Sequence, residues 1–401
     1  LFIYLFNKTR MVCGISRTSC FLLFFLLRNG RSYLLPLDKT QNVRKAVSSA
    51  LYGQSRRNVL ASVSAAGIQP FLPFDASASV STAPSSTKPL ADLPMIRLKL
   101  PKDGLGREYV VIKLNIGGET VDFMVDSGLT TEMITPHLKD MLHIPSGSST
   151  IRGLAAGGST DSALVELKDV SLCCGEFANG RTSLPLPPLH AVVTDFVQEH
   201  IDPDHNVEGM IGMELLEMFD VDFDFPKNRI RFYPPQKSEK DDLIPIPAVV
   251  LNESGLEGIR IRSLQQKIGQ PMLGIIDCGA SFSIMNTAAA KLLGLNIAQL
   301  SSSLAVMSIG IDGRPMVMPT APVEFTFVGD ARKDPSSGAV NFEEAPPSFK
   351  PWDKVTVAIG DIAVFSSLLG DGKNPFPIPT ILIGLDILSQ RRIILETGKG
   401  R

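Results

Sequence analysis

The sequence has few of the residues that build disulfide frameworks or metal sites. It contains five cysteines and five histidines in 401 residues. Cys13 and Cys20 lie near the start of the chain, Cys173 and Cys174 are adjacent, and Cys278 stands alone. Adjacent cysteines rarely pair with each other, and no cysteine–histidine spacing fits a zinc site. We therefore expect buried free thiols, with no metal and no cofactor.

Long apolar runs are also missing. Residues 21–27 form a seven-residue apolar run between Arg17 and Arg28, whereas a helix that crosses a membrane needs about 20 such residues. No later segment combines that length with an absence of charge. The short run fits a targeting segment, and we expect no stable membrane span.

The chain carries little net charge, but the charge is unevenly distributed. Residues 1–74 contain ten of the 39 basic residues and one of the 41 acidic ones, which leaves 29 basic against 40 acidic, a net charge of −11, for residues 75–401. Binding to nucleic acid requires a basic face. The acidic body of the protein therefore argues against a nucleic-acid partner.

The basic segment at the start of the chain resembles a targeting sequence. Its Arg56-Arg57 pair, a mildly apolar stretch and Ala76-Ser77-Ala78 resemble a twin-arginine export signal with a small-residue cleavage site. Residues 75–92 are rich in Ser, Ala and Pro and predict a disordered linker. We expect residues 1–92 to be a chloroplast transit peptide and linker, with the thylakoid lumen as a possible destination. The alternative is a disordered basic tail.

The body of the chain predicts mostly β structure. Short apolar or alternating runs separated by Gly, Pro and Asp indicate strands at 96–100, 109–116, 163–167, 244–251, 259–264 and 272–276, and a hairpin over 219–233. Helical windows are few: 135–142, 195–200, 214–218 and 287–293. A polar break at 234–242 divides the body into two lobes, 93–236 and 243–401. Residues 329–350, rich in Pro, Ser, Glu and Asp, are expected to form a surface loop.

Two segments of the body resemble each other. In each, an apolar run ends in an aspartate followed one residue later by glycine: Asp126-Ser127-Gly128 and Asp277-Cys278-Gly279. Each continues into an apolar helical window. An apolar-apolar-Gly step then follows, at Gly212, 86 residues after the first aspartate, and at Gly384, 107 residues after the second. A chain that builds one loop twice can bring both carboxylates together at a pseudo-twofold axis, and chance similarity of two β-rich halves is the alternative.

At these residues the chain resembles aspartic proteases of the pepsin superfamily, most closely their retropepsin-like members. The resemblance extends from about Met95 to the end of the chain and implies an all-β, bilobed fold with two related barrel lobes. In the family two aspartates activate a water, which here would be Asp126 and Asp277. The supporting residues would be Ser127, Gly128, Thr130, Cys278, Gly279, Ser281, Gly212 and Gly384. Retropepsins supply one loop per chain and dimerise, so a chain with both loops is expected to act as a monomer on polypeptide substrates.

Elementary chemistry explains the paired aspartates. Two carboxylates a few ångströms apart share one proton, and their pKa values separate. The ionised one accepts a proton from water while the protonated one polarises the scissile carbonyl. In the family, the residue after each aspartate braces the two loops, and Thr130 and Ser281 provide hydroxyls to the outer carboxylate oxygens.

Three features depart from the family pattern. The thiol of Cys278 is a weaker donor than a hydroxyl, Leu129 replaces a small residue, and no flap tyrosine is present. Residues 154–159 and 309–313, rich in glycine, are the flap candidates. These departures leave open an inactive peptide-binding or scaffold relative, or a purely structural protein, in place of an endopeptidase.

Two further expectations concern other parts of the chain. His190, His200 and His205 precede Gly212 with spacings that fit no metal site, so we expect solvated histidines. Counting from Gly212 and Gly384, residues 222–225 align with 394–397, and the first lobe then continues into one more strand. We therefore expect that the sequence is a fragment in which the second lobe lacks its closing strand.

Overall fold

The computed structural model describes most of the body of the protein. The described residues are 3–6, 24–26, 88–98, 105–145, 150–155, 158–195, 206–240, 242–251, 256–266, 270–300, 305–309 and 315–396. Most of the predicted leader and linker, 1–92, and all but the first residue of the predicted helix over 195–200 lie outside these ranges. In the part of the chain that is described, no helix is both long and apolar enough to cross a membrane.

Short strands dominate the structure. Those that precede residue 240 are β1 Ile3–Phe6, β2 Phe24–Leu26, β3 Ala91–Pro94, β4 Ile96–Leu98, β5 Tyr109–Ile116, β6 Glu119–Val125, β7 Glu132–Ile134, β8 Thr150–Ala155, β9 Gly158–Leu167, β10 Val170–Leu172, β11 Glu176–Phe177, β12 Leu184–Pro185, β13 Leu189–Val193, β14 Val207–Ile211, β15 Asp220–Asp224 and β16 Arg229–Tyr233. Those that follow are β17 Ala248–Leu251, β18 Leu256–Ser263, β19 Met272–Ile276, β20 Ile284–Met285, β21 Ala305–Ile309, β22 Pro315–Val323, β23 Phe325–Lys333, β24 Val340–Glu344, β25 Val355–Ile359, β26 Thr380–Ile383 and β27 Ile393–Glu396.

The helices are short. They are α1 Pro136–Met141, α2 Met213–Leu216, α3 Thr287–Leu292, α4 Ile297–Leu300, α5 Ala363–Leu369 and α6 Leu385–Leu388. Thr135 caps α1 by accepting the Leu138 N–H at 3.0 Å, and Asn286 caps α3 by accepting the Ala289 N–H at 2.8 Å. Each cap lies nine residues after its aspartate, so the two halves build the same helix start with different side chains.

The two halves repeat one sheet topology. In the first lobe the strand order is β5-β6-β14-β7-β13-β9-β8, and in the second it is β18-β19-β26-β20-β25-β22-β21. The pairs β6·β14 and β7·β13 are parallel, as are their counterparts β19·β26 and β20·β25. The repeat inferred from the aspartate motifs is therefore a repeat of the fold, and the predicted all-β, bilobed fold is confirmed.

The parallel pairs explain why the motifs follow apolar runs. A strand in the middle of a parallel arrangement is covered on both faces and favours continuous apolar sequence. All five residues of β14 and of the 121–125 part of β6 are buried. Both aspartates directly follow such a strand, so the sheet delivers them to its buried centre.

A third sheet joins the lobes. Its order is β11-β3-β16-β15-β27, and β27 from the second half pairs antiparallel with β15 from the first. Asp222 lies opposite Ile394 in this ladder, and these are the residues ten positions after Gly212 and Gly384. The pseudo-twofold axis therefore passes between them. Arg392 supports the join by donating to both oxygens of the buried Asp222 carboxylate, at 2.9 Å each.

The prediction of a surface loop over 329–350 is wrong. Most of it belongs to the antiparallel hairpin β23–β24, which extends the sheet from β18. Two buried arginines of β18 hold the hairpin: Arg260 contacts Asp330 at 3.2 Å, and Arg262 contacts Glu344 at 2.7 Å. The acidic residues that indicated a loop are the partners of these arginines.

Candidate active site

The two aspartate loops meet at the centre of the molecule. Asp126 follows β6 and donates its N–H to Ile211 at 2.9 Å, and Asp277 follows β19 and donates to Ile383 at 3.0 Å. Their side chains are 2% and 1% exposed. Each carboxyl group lies against the glycine of the other loop, and the two are close enough to influence each other's ionisation. The structure therefore brings together the pair that the sequence motifs predict.

Glycines make this approach possible. A β-carbon at Gly128 would lie 2.7 Å from Cγ of Asp277, and one at Gly279 would lie 2.1 Å from Cγ of Asp126. The same glycines donate their N–H groups to the aspartate of their own loop, Gly128 to Asp126 Oδ1 at 2.8 Å and Gly279 to Asp277 Oδ1 at 2.9 Å. Any larger residue would separate the two carboxyl groups.

Burial and mutual proximity change the acidity of the pair. Burial raises the pKa of Asp126 to about 6, against the lowering effect of the Gly128 N–H. Burial and then the neighbouring Asp126 charge raise the pKa of Asp277 well above its ordinary value. Such a pair holds a proton at a pH where isolated aspartates are ionised.

Ser127 and Cys278 brace the two loops across the axis. The Cys278 N–H donates to Ser127 Oγ at 3.0 Å, and the Ser127 N–H donates to Cys278 Sγ at 3.1 Å. Ser127 Oγ also donates to the Ile276 carbonyl at 3.3 Å, and Cys278 Sγ to the Val125 carbonyl at 3.5 Å. The thiol therefore occupies the place of a hydroxyl in both interactions, with one longer contact. Burial raises the pKa of Cys278 to about 12, which keeps it a thiol.

Gly212 and Gly384 support the loops from behind. A β-carbon at Gly212 would lie 2.8 Å from the Leu129 carbonyl oxygen, and one at Gly384 would lie 2.9 Å from the Ala280 carbonyl oxygen. The next N–H in each half, from Met213 or Leu385, donates to the same carbonyl. Leu129 is completely buried, so its larger side chain is accommodated in the core.

Ser281 does not make the hydrogen bond that the resemblance implies. Among the described residues, neither Ser281 Oγ nor Asp277 Oδ2 has a hydrogen-bond partner of good geometry, although both atoms are buried. The side chain of Tyr109 lies close enough to Ser281 for its ionisation to be influenced. The hydrogen bonding of Asp277 therefore differs from what the resemblance implies. Thr130, in the first loop, is partly buried.

Sequence reasoning missed two buried residues near the loops. Tyr109 opens β5 and is 1% exposed, and its relation to Ser281 crosses between lobes. Glu132 lies six residues after Asp126, accepts the Leu215 N–H at 3.0 Å, and has its pKa raised to about 8 by burial and by Glu214. An acidic residue directly before the apolar pair Met133-Ile134 was a usable signal for Glu132. No local signal marks Tyr109.

The flap candidates lie at hairpin ends. Residues 154–159 connect β8 to β9, and 309–313 follow β21 towards β22, although 156–157 and 310–314 are outside the described residues. Their outer edges pair with the leader strands β2 and β1. His190 is exposed and contacts Glu214 at 2.9 Å, while His200 and His205 are not described. Within the described ranges, no three His, Cys, Asp or Glu side chains form a group suited to a metal ion.

One part of the chain matches a known protein family. Residues 112–215 match the sequence profile of a family described as aspartyl protease. This segment contains the first aspartate loop and its glycine step, Asp126 to Gly212. No curated protein sequence gives a significant match to the chain.

Several solved structures show similarity at low sequence identity. A retropepsin-like aspartic protease from Rickettsia conorii is 18% identical over 36% of this chain and 95% of its own, with a TM-score of 0.22. Basic 7S globulin from soybean is 12% identical over 77% of this chain and 94% of its own, with a TM-score of 0.38. Conglutin gamma from lupine seeds is 12% identical over 77% and 93%, with a TM-score of 0.37.

Proposed function

We propose that this protein is an aspartic endopeptidase that hydrolyses peptide bonds with a water activated between Asp126 and Asp277. One observation supports this most strongly: two buried carboxyl groups close enough to influence each other's ionisation, each held by the N–H of its loop glycine. A pair arranged in this way shares one proton, which is the state that acid–base hydrolysis of an amide requires.

We assign the base to Asp126 and the acid to Asp277. N–H groups of Gly128 and Leu129 favour the ionised form of Asp126, whereas the Asp126 charge opposes ionisation of Asp277. The water oxygen attacks the carbonyl carbon as Asp126 accepts its proton. The carbonyl π pair moves to oxygen, which takes the proton of Asp277. Collapse of this tetrahedral intermediate then releases the amine, which takes the proton held by Asp126. One hydroxyl of the intermediate returns its proton to Asp277 as it becomes the carbonyl of the new carboxylic acid, and the pair regains its starting state.

The substrate class follows from the same site. An extended polypeptide would lie across the two loops, with main-chain hydrogen bonds to the hairpins β8–β9 and β21–β22. Because one chain supplies both carboxyl groups, we propose that the protein acts as a monomer.

Cleavage of a denatured protein mixture at several pH values tests the proposal. We expect the 90–401 protein to cut most rapidly from about pH 6, where Asp126 ionises while Asp277 keeps its proton, and we expect both Asp126→Asn and Asp277→Asn to abolish cutting. Asp169→Asn, at an exposed position outside the site, is the matched control. Binding of peptides without cleavage, unchanged in Asp126→Asn, would instead favour the inactive peptide-binding relative. Absence of both would favour a structural protein.

We also propose that residues 1–92 deliver the protein to the chloroplast and from there to the thylakoid lumen. Their basic, acid-poor composition supports this. A fluorescent protein fused to residues 1–92 should be imported and shortened by isolated chloroplasts. Replacing Arg56 and Arg57 with Lys should block only the later transfer to the lumen. A fusion that stays outside the organelle would contradict the proposal.

A further inference from the structure

Cys173 and Cys174 form a pair of adjacent thiols in the turn between β10 and β11. Their Sγ atoms are 3.2 Å apart, in thiol–thiol hydrogen-bond contact. In an extended strand successive side chains point to opposite faces. Cys174 instead has a left-handed backbone, with φ +63°, which interrupts this alternation and leaves the two side chains together. The turn therefore contains a preformed dithiol.

The two thiols differ in their access to solvent. Cys174 is exposed, whereas Cys173 is buried. Burial, and then the hydrogen bond and the charge of Cys174, raise the pKa of Cys173 to about 12. Since the nucleophile in thiol–disulfide exchange is the thiolate, Cys173 is unreactive in the reduced pair. Cys174 is the thiol that a reagent from solution meets first.

Modification of Cys174 would change the state of Cys173. A Cys174 sulfur in a covalent bond carries neither a thiol hydrogen nor a thiolate charge, so two of the effects that raise the pKa of Cys173 disappear. The side chain of Thr120 and the charge of Lys113, which lower that pKa, remain. The 3.2 Å between the sulfur atoms lies within the roughly 3 to 3.5 Å from which a bond can form. Cys173 is therefore placed to attack a modified Cys174.

We propose that Cys173 and Cys174 are a redox modification site whose oxidant is a small-molecule disulfide of the glutathione type. The Cys174 thiolate attacks one sulfur of that disulfide, forms a mixed disulfide and releases the other sulfur as a thiolate. Cys173 then attacks Cys174 Sγ, which expels the second small thiolate. The protein loses two electrons and two protons, and the small disulfide becomes two thiols.

The product is a bond between neighbouring residues, which we expect to be easily reduced. The Cα atoms on either side of a trans peptide are about 3.8 Å apart, which is less than the roughly 4.4 to 6.8 Å of ordinary disulfides. The bond is therefore strained, and strained disulfides are the more readily reduced ones. It closes almost no chain, so it gains little stability from loop closure. Such a site follows the thiol–disulfide ratio of its surroundings.

The position of the turn gives oxidation a structural consequence. β10 pairs with β5 of the first lobe, and β11 pairs with β3 in the sheet that joins the lobes. The next residue, Gly175, packs directly on β3, because a β-carbon there would lie 2.6 Å from the Asp92 carbonyl oxygen. Oxidation therefore strains the backbone where the two sheets are connected. We expect the oxidised protein to unfold at a lower denaturant concentration than the reduced one.

The test exposes the reduced chain to glutathione disulfide. All proteins carry Cys13→Ser and Cys20→Ser, which leaves Cys173, Cys174 and Cys278. Samples are quenched in acid, and intact mass and peptide mapping locate each modification. We expect the protein with the intact pair to lose two hydrogen atoms from the peptide that contains both adjacent cysteines. It should retain no glutathione, and Cys278 should stay reduced.

Two single variants separate the roles of the thiols. Cys173→Ser should keep glutathione on Cys174, because no thiol remains to resolve the mixed disulfide. Cys174→Ser should react at least about 10-fold more slowly, because the remaining thiol is buried. Glutathione retained on the protein with the intact pair, or equal reactivity of the two variants, overturns the proposal.

Reversibility and stability provide a second readout. Reduced glutathione should return the oxidised protein to the dithiol and restore its denaturation midpoint. An oxidised form that resists reduced glutathione, or that is more stable than the dithiol, would contradict a strained and reversible site. Neither measurement uses peptide cleavage, so the result is independent of the proposed endopeptidase function.

Discussion

Ser127 and Cys278 each accept the backbone N–H of the other, at 3.0 Å to the serine oxygen and 3.1 Å to the cysteine sulfur. The two residues therefore play equivalent roles with unequal atoms. The oxygen is the stronger acceptor and donor, so the two sides of the brace differ in strength. The thiol preserves the geometry that brings Asp126 and Asp277 together.

Substitution of Cys278 tests the brace. We expect Cys278→Ser to retain activity, because a hydroxyl makes the same two contacts. Cys278→Ala leaves the buried Ser127 N–H without its acceptor and should cost about 1 to 3 kcal/mol of unfolding free energy, with a larger loss of kcat than of substrate binding. Chemical denaturation and peptide cleavage measure these effects. Equal stability of the Ala and Ser variants would show that the sulfur contacts contribute nothing.

The reactivity of the cysteines should follow their burial. Cys278 is 1% exposed and burial raises its pKa to about 12, so little thiolate is present at neutral pH. Cys174 is exposed. In the folded protein iodoacetamide should modify Cys174 and leave Cys278 intact, whereas in urea both should react. Peptide mass mapping distinguishes the sites, and early modification of Cys278 would contradict the buried brace.

The free energy of unfolding should depend on pH because the pKa of Asp126 is raised in the folded protein. A carboxyl group whose pKa is higher in the folded state than in the unfolded state binds protons preferentially in the folded state, so stability falls as pH rises from about 4 to about 6. A difference of two pKa units corresponds to roughly 3 kcal/mol. Asp126→Asn should therefore be more stable than the wild-type protein at pH 7 and equally stable at pH 4. Parallel stability curves for the two proteins would argue against the shift.

Arg392 should be important for joining the lobes. It donates to both oxygens of Asp222, whose side chain is completely buried and whose other partner is Arg231. Arg392→Met leaves this charge undercompensated and should cost about 3 kcal/mol. The exposed Arg181→Met is the control. A double variant, Asp222→Leu with Arg392→Met, should recover part of the loss, and failure to recover any would show that Arg392 acts through other contacts.

Gly106 lies in the segment that leads into β5, which contacts the second aspartate loop through the Arg107 N–H and the Ser281 carbonyl oxygen. Gly106→Ala places a β-carbon against the Ser281 carbonyl oxygen, whereas Gly118→Ala, with a similar φ of +97°, meets no atom within 4 Å. Both variants carry the strain of a positive φ, about 1 to 3 kcal/mol. We expect only Gly106→Ala to reduce kcat in addition. Equal effects on kcat would show that the segment does not influence the aspartates.

Much of the site was predictable because its residues are local in sequence. An apolar strand, Asp, Gly and a later apolar-apolar-Gly step recur in order, and the register of each strand follows from its pattern. The predicted strands over 109–116 and 272–276 agree with β5 and β19, and the predicted hairpin agrees with β15 and β16, with Asn228 left-handed at the turn. Three of the predicted helices agree within two residues.

The parts that were missed depend on distant residues. The hairpin β23–β24 is stabilised by Arg260 and Arg262 of a strand far earlier in the chain, and its own composition is that of a loop. The helix α5, with Val and two serines, has modest intrinsic propensity and is held by burial of Phe365 and its neighbours. Tyr109 lies near Ser281 of the opposite lobe. Composition and periodicity do not reveal contacts between residues that are distant in the sequence.

The ladder between β15 and β27 restricts how the molecule can deform. Main-chain hydrogen bonds cross from one half to the other at the pseudo-axis, so the halves are joined along an extended edge and not by a single flexible hinge. Relative rotation of the halves must then be absorbed as torsion of a hydrogen-bonded ribbon, which resists bending in its own plane. Stiffness along this edge would consequently keep the paired carboxyl groups in register when the rest of the two halves moves.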